Sequence, residues 1–87
     1  MSMIFGVRVC DHRGQPQPKV RVTADVGLYC IQMTEATDNE GWAIFKTSEF
    51  YPQAEISIGS LSYGERDLAD GAVFFVTLHC AKDLTLA

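Results

Sequence analysis

The sequence predicts a small all-β sandwich of about seven strands in two sheets, on three observations. Apolar and polar residues alternate in several short runs, the period of a half-buried strand. Gly, Pro and Asp punctuate the chain at intervals of roughly 8–12 residues, the spacing of turns in such folds. No run of helical period interrupts them. The 87 residues, 47% of them hydrophobic, make one domain, 1–87, with a core and no room for a second.

Residues 3–10 open with Met3, Phe5, Val7 and Val9 on one face and Ile4, Gly6, Arg8 and Cys10 on the other. Asp11-His12-Arg13-Gly14 then reads as a turn. Asp accepts a hydrogen bond from the backbone two residues on, and Gly takes the left-handed conformation. Pro16 and Pro18 hold the next link extended and outside any ladder. Residues 19–24 alternate again, with Val20, Val22 and Ala24 inward, and 25–27 read as a loop.

A strand over 28–37 follows, its inward set divided between Tyr29, Ile31 and Met33 and the alternative of Leu28, Cys30 and Thr34. Asp38 and Gly41 repeat the pattern of Asp11 and Gly14. Both are predicted as three-residue hairpin connections closed by a glycine bulge. Residues 42–47 form a strand with apolar side chains on both faces, and 48–52 a loop. Strands over 54–58 and 61–68 are joined by the two-residue turn Gly59-Ser60. Glu65, Arg66 and Asp67 mark the second of these as an edge strand. After Asp70-Gly71, residues 72–80 are the most apolar strand of all. Both of its faces need cover, which places it at the centre of its sheet under the tail or against another subunit. The tail, 81–87, carries neither turn nor cap signal and is left to fray or dock.

A net charge of −4 with the basic residues scattered singly argues against nucleic acid as a partner. No basic segment precedes a long apolar run, so no signal peptide is evident, and no apolar run has the length of a membrane span. Cys10, Cys30 and Cys80 are an odd number at no recognised spacing. They read as free thiols of a reducing, cytoplasmic compartment, although a fragment of a secreted parent would look the same.

The two turns and their flanks carry a resemblance. Val7-Arg8-Val9-Cys10-Asp11-His12-Arg13-Gly14-Gln15-Pro16 followed by Val20-Arg21-Val22, and Thr37-Asp38-Asn39-Glu40-Gly41-Trp42-Ala43-Ile44-Phe45, resemble the transthyretin-like (prealbumin-type, Ig-like) sandwich modules. Those modules include the carboxypeptidase regulatory-like domains. Ala43 stands where the pattern usually has an aromatic. The resemblance implies an accessory or interaction module and a first strand beside strands near the carboxyl end. It does not carry activity over. One enzymatic branch, the hydroxyisourate hydrolases, uses a first-strand His and a terminal Tyr-Arg-Gly-Ser. Here Arg8 and Asp83-Leu84-Thr85-Leu86-Ala87 occupy those places, so that activity is not expected.

Four constellations compete for a role. If Ala43 and Phe45 face the core, Trp42 and Ile44 point outward and make an anchor for a protein or a sugar ring. The bland alternative is that the phase is inverted or that a neighbouring loop or the tail covers Trp42. Tyr51 and Tyr63 are candidates to extend the patch. An outward Phe74 or Phe75 beside Trp42 and Ile44 would favour a homodimer through a sheet face. Cys10, His12, His79 and Cys80 are weak candidates for zinc, because their spacing matches no zinc signature and adjacent strand residues face opposite ways. The carboxylates Glu35, Asp38 and Glu40 offer too few oxygens for calcium, and no nucleophile elbow supports a hydrolytic triad.

The sequence therefore reads as a non-enzymatic binding module acting through protein–protein contacts, self-association included, with no cofactor. A carbohydrate-binding module is the alternative and needs an exposed aromatic platform. An unrecognised small hydrolase is the third, and needs a polar cleft holding His12 or His79.

Overall fold

The computed structural model describes residues 2–27 and 30–78. Among these described residues seven strands form: β1 (Met3–Asp11), β2 (Arg21–Val26), β3 (Ile31–Ala36), β4 (Trp42–Thr47), β5 (Gln53–Ile58), β6 (Leu61–Asp67) and β7 (Val73–Leu78). They make two sheets, one ordered β4-β1-β7 and the other β3-β2-β5-β6. The molecule is an all-β, two-layer sandwich.

Period-2 alternation decides what the layers enclose. Met3, Phe5, Val7 and Val9 of β1, Ala43 and Phe45 of β4, and Val76 and Leu78 of β7 point inward from the first sheet. Val22, Ala24 and Val26 of β2 with Ala54 and Ile56 of β5 meet them from the second. Phe5 stacks on Phe45 at 4.9 Å between ring centroids and takes the edge of Phe74 at 6.5 Å. Such pairs add about 0.5–1.5 kcal/mol each beyond the area they bury.

β1 is the spine of the smaller sheet. It pairs antiparallel with β4, Gly6 opposite Ile44 and Arg8 opposite Trp42, and parallel with β7, Gly6 opposite Val73 and Arg8 opposite Phe75. Among the described residues the most apolar strand is thus at an edge and not at the centre of its sheet. Its doubly apolar character follows instead from one inward face, with Val76 and Leu78 buried and Phe74 half-buried, and one exposed face, Val73, Phe75 and Thr77.

Both Asp-Gly turns form, but neither joins neighbouring strands of one sheet. The turn at 38–41 carries the chain from β3 in one sheet to β4 in the other. Asp38 Oδ1 accepts from the amides of Glu40 and Trp42, the Gly41 amide donates to Asp38 O at 3.0 Å, and Gly41 has φ +84°. The turn at 11–14 repeats this: Asp11 Oδ1 accepts from Arg13 and Gln15, and the Gly14 amide donates to Asp11 O, with φ +83°. The chain then folds back, so that Pro16 bridges Cys10, and crosses to β2.

The two crossings are clasped together at Val9. Its amide donates to Gly41 O at 2.7 Å and its carbonyl accepts from Gln17 N at 2.9 Å. Buried Thr37 locks the same place, donating to Gln17 O at 2.6 Å and accepting from Val20 N at 2.9 Å. These bonds explain why β2 starts at Arg21 and not at 19. Lys19 sits at φ +61° with its amide on Thr37 O, and Val20 serves the crossing. Residues 25 and 26, expected in a loop, extend β2, with Val26 buried.

β3 is shorter than expected, beginning at Ile31, with Ile31 and Met33 half-buried and Thr34 exposed. Leu28 and Tyr29, one residue from each of its two expected inward sets, lie outside the described residues. β6 is an edge strand, joined to β5 by Gly59 at φ +60° and bent by an irregularity between Glu55 and Ser57.

Candidate functional site

The outer faces of the two sheets differ in kind. The four-stranded sheet presents Asp25, Glu55, Glu65 and Asp67 among Thr, Ser and Gln. Its side chains are tied to one another: Gln53 donates to Asp67 at 2.9 Å, Ser62 donates to Glu55, and Thr23 shares a hydrogen with Thr34 at 3.1 Å. The face is solvated and self-satisfied.

The outer face of the three-stranded sheet is apolar. Phe75 is 68% exposed, Val73 52%, Ile4 45% and Ile44 42%, and all lie on β1, β4 and β7. Register brings them together. Gly6 sits opposite both Ile44 and Val73, and a Cβ there would lie 3.2 Å from Ile44 Cδ1 and 3.3 Å from the Trp42 ring. The missing side chain lets Trp42 and Ile44 lie down over the backbone of β1.

Trp42 is half-buried, with the edge of Phe75 at 6.1 Å and an interplanar angle of 61°. Arg8, between them in the register, places its guanidinium 5.9 Å from the Trp42 ring centre, and its Nε donates to Glu40 O at 3.1 Å. At a surface site such a cation–π contact contributes about 0.5–1 kcal/mol and holds both side chains in place. Aromatic and Arg side chains pre-organised on an exposed apolar face are the composition of an interface hot spot.

Of the residues singled out in the sequence, the structure brings Trp42, Ile44 and Phe75 into this face and leaves others out. Phe74 turns to the inner side against Phe5. Tyr63 lies on β6 of the opposite sheet, half-buried, and its Oη has no hydrogen-bond partner among the described residues. Burial raises its phenol above the usual 10.0. Tyr51 is in the core.

Three members of the face were not singled out: Ile4, Gly6 and Val73. Their signal was available, since they alternate with the inward residues of β1 and β7, but only the parallel pairing of those strands puts them side by side.

Cys10 is half-buried beside Thr77, and His12 is exposed on the first turn. His79 and Cys80 lie outside the described residues, as does the tail 81–87. Among the described residues no three His, Cys, Asp or Glu side chains gather as metal ligands, and there is no pocket. No described helix is long and apolar enough to cross a membrane. On the first turn, the Asp11 carboxyl is held below its ordinary 3.8. The chief cause is the Gln15 amide donating to it, with the Arg13 amide and the charges of His12 and Arg13 adding to this against desolvation.

The architecture defines the class, a seven-stranded β-sandwich. A solved structure, "The Bacillus anthracis TIE protein", shares it with a TM-score of 0.62 at 12% identity, over 91% of this chain and 16% of that one. The chain thus spans about a sixth of that protein's length, and the likeness is one of fold. No protein-family model and no curated protein matches the sequence.

Proposed function

We propose that the chain is a non-enzymatic binding module of the transthyretin-like, carboxypeptidase regulatory-like type, and that the outer face of the β4-β1-β7 sheet is its contact surface for protein. The observation that carries this reading is the exposed strip of Phe75, Val73, Ile4 and Ile44 around a Trp42–Arg8 anchor. The transthyretin-like part is supported by β1 lying beside the last strand, where that resemblance puts it. A reducing, cytoplasmic setting belongs to the same reading, on the odd number and irregular spacing of the three cysteines in the sequence.

A sugar ligand is less well supported. Trp42 and Phe75 meet edge to face, which breaks the flat platform that a sugar ring stacks on, and Tyr63 is on the other sheet.

The test asks whether the strip is free surface in the folded chain. Ile44→Ser and Val73→Ser should each shift the unfolding free energy by no more than about 0.5 kcal/mol, as exposed positions do. A loss of about 2 kcal/mol or more from either would show that the side chain is buried in the folded chain, and would overturn the reading.

A further inference from the structure

The four edge strands of the sandwich are not equally protected. β6 carries Glu65, Arg66 and Asp67, with Gly64 at φ +88° and an irregular register beside it. β3 carries Glu35, and β4 carries Lys46. β7, Val-Phe-Phe-Val-Thr-Leu, has no charge, no Pro, no Gly and no bulge. Among the described residues no strand pairs with this edge, and such an edge is a template for another strand.

Its backbone says which strand fits. The Gly6 amide donates to Ala72 O, so the parallel ladder turns the even-numbered residues of β7 toward β1. The N–H and C=O groups of Val73, Phe75 and Thr77 then point to the free side. Three donors and three acceptors at alternate positions are self-complementary about a two-fold axis through Phe75. Val73 faces Thr77 of a second copy, Phe75 faces Phe75, and each facing pair exchanges two bonds, about six in all.

Resting on the binding reading above, we infer that the chain forms a closed dimer by antiparallel pairing of β7 with β7 of a second copy. The product is a continuous sheet ordered β4-β1-β7-β7-β1-β4. It sets Phe75 against Phe75 on the outer face and joins the two apolar strips into one.

Charge decides between this mode and a face-to-face one. Stacking two outer faces would bring Arg8 and Lys46 of one copy against those of the other, with no carboxylate among the described residues of that face. Edge pairing keeps the two Arg8 side chains three strand spacings apart, roughly 14 Å. That exceeds the screening length at physiological salt, about 8 Å.

Light scattering of the reduced protein across a dilution series tests the inference. A monomer–dimer equilibrium is expected, with the amides of Val73, Phe75 and Thr77 slow to exchange when concentrated and fast when dilute. Phe75→Lys places like charges directly opposite and should weaken the dimer on the order of tenfold or more. Thr77→Pro removes an edge-facing N–H that the monomer does not use, and should do the same. Glu35→Lys, on the β3 edge of the opposite sheet, should leave the dimer intact.

A monomer at every concentration, growth beyond two copies, or loss of the dimer in Glu35→Lys with Phe75→Lys unaffected would each overturn the inference. A monomer whose Ile44→Ser variant keeps its stability would leave the binding reading standing.

Discussion

Gly41→Ala adds one carbon at the tightest point of the molecule. The new Cβ would lie 2.5 Å from Val9 O and 3.0 Å from Pro16 Cβ, and the backbone there has φ +84°. Left-handed strain alone costs an alanine about 1–2 kcal/mol. Relieving the clash moves the turn off β1, which weakens the bonds from Val9 N to Gly41 O and from Gln17 N to Val9 O, about 0.5–1.5 kcal/mol each. The stiffer unfolded chain returns about 0.4–1 kcal/mol. The net expectation is a loss of about 2–4 kcal/mol, against a total stability of roughly 4–13 kcal/mol for a chain this size. Gly14→Ala is the internal control, because Gly14 shares the conformation, at φ +83°, but a Cβ there meets nothing within 4 Å. It should lose no more than about 1.5 kcal/mol, the strain less the unfolded-state gain. Urea unfolding followed by the emission of Trp42 reads both variants, with equal m-values required for the comparison. Equal losses in the two would refute the claim that close approach to β1 is what demands glycine at 41.

Two further outcomes are expected. Thr37→Val keeps the shape but leaves Gln17 O and Val20 N without the hydroxyl, and should destabilise by about 2–3 kcal/mol, with Thr37→Ser recovering most of it; a loss below about 0.5 kcal/mol in the same assay would refute the clasp. Asp11 has a lowered pKa, so the stability it contributes is present above its unfolded value near 3.8 and fades as pH falls through the lower folded value. Asp11→Asn keeps an acceptor at Oδ1, so its stability difference from the parent should shrink toward zero in acid; a difference independent of pH would contradict this.

The sequence was most legible where structure is local. Asp38 and Gly41 reveal their turn because its hydrogen bonds and its left-handed residue lie within the same few positions. Alternation placed Val7 and Val22 inside, since period 2 leaves no other half-buried arrangement, whereas the strand over 42–47, apolar on both faces, left the phase of Ala43 and Phe45 open. What the sequence hid is non-local. That the turns change sheets depends on Val9, about thirty positions from Gly41 in the chain, offering both backbone groups to the crossings. Phe74 and Phe75 are chemically identical, so only pairing with β1 tells the core ring from the surface one. Tyr51, read as a loop aromatic, fills the core because the 48–52 connection folds under the sheets.

The parallel pairing of β1 and β7 also fixes how the sandwich bears load. Consider a pull applied between the start of β1 and the end of β7, the last of the described strands. Because the two strands run the same way, such a pull slides one along the other. All the bonds between them, from Gly6 opposite Val73 to Asp11 opposite Leu78, are then strained at once and not one after another. An antiparallel hairpin pulled at its two ends opens bond by bond like a zipper. Under such a pull the first and last of the described strands would act as a shear clamp.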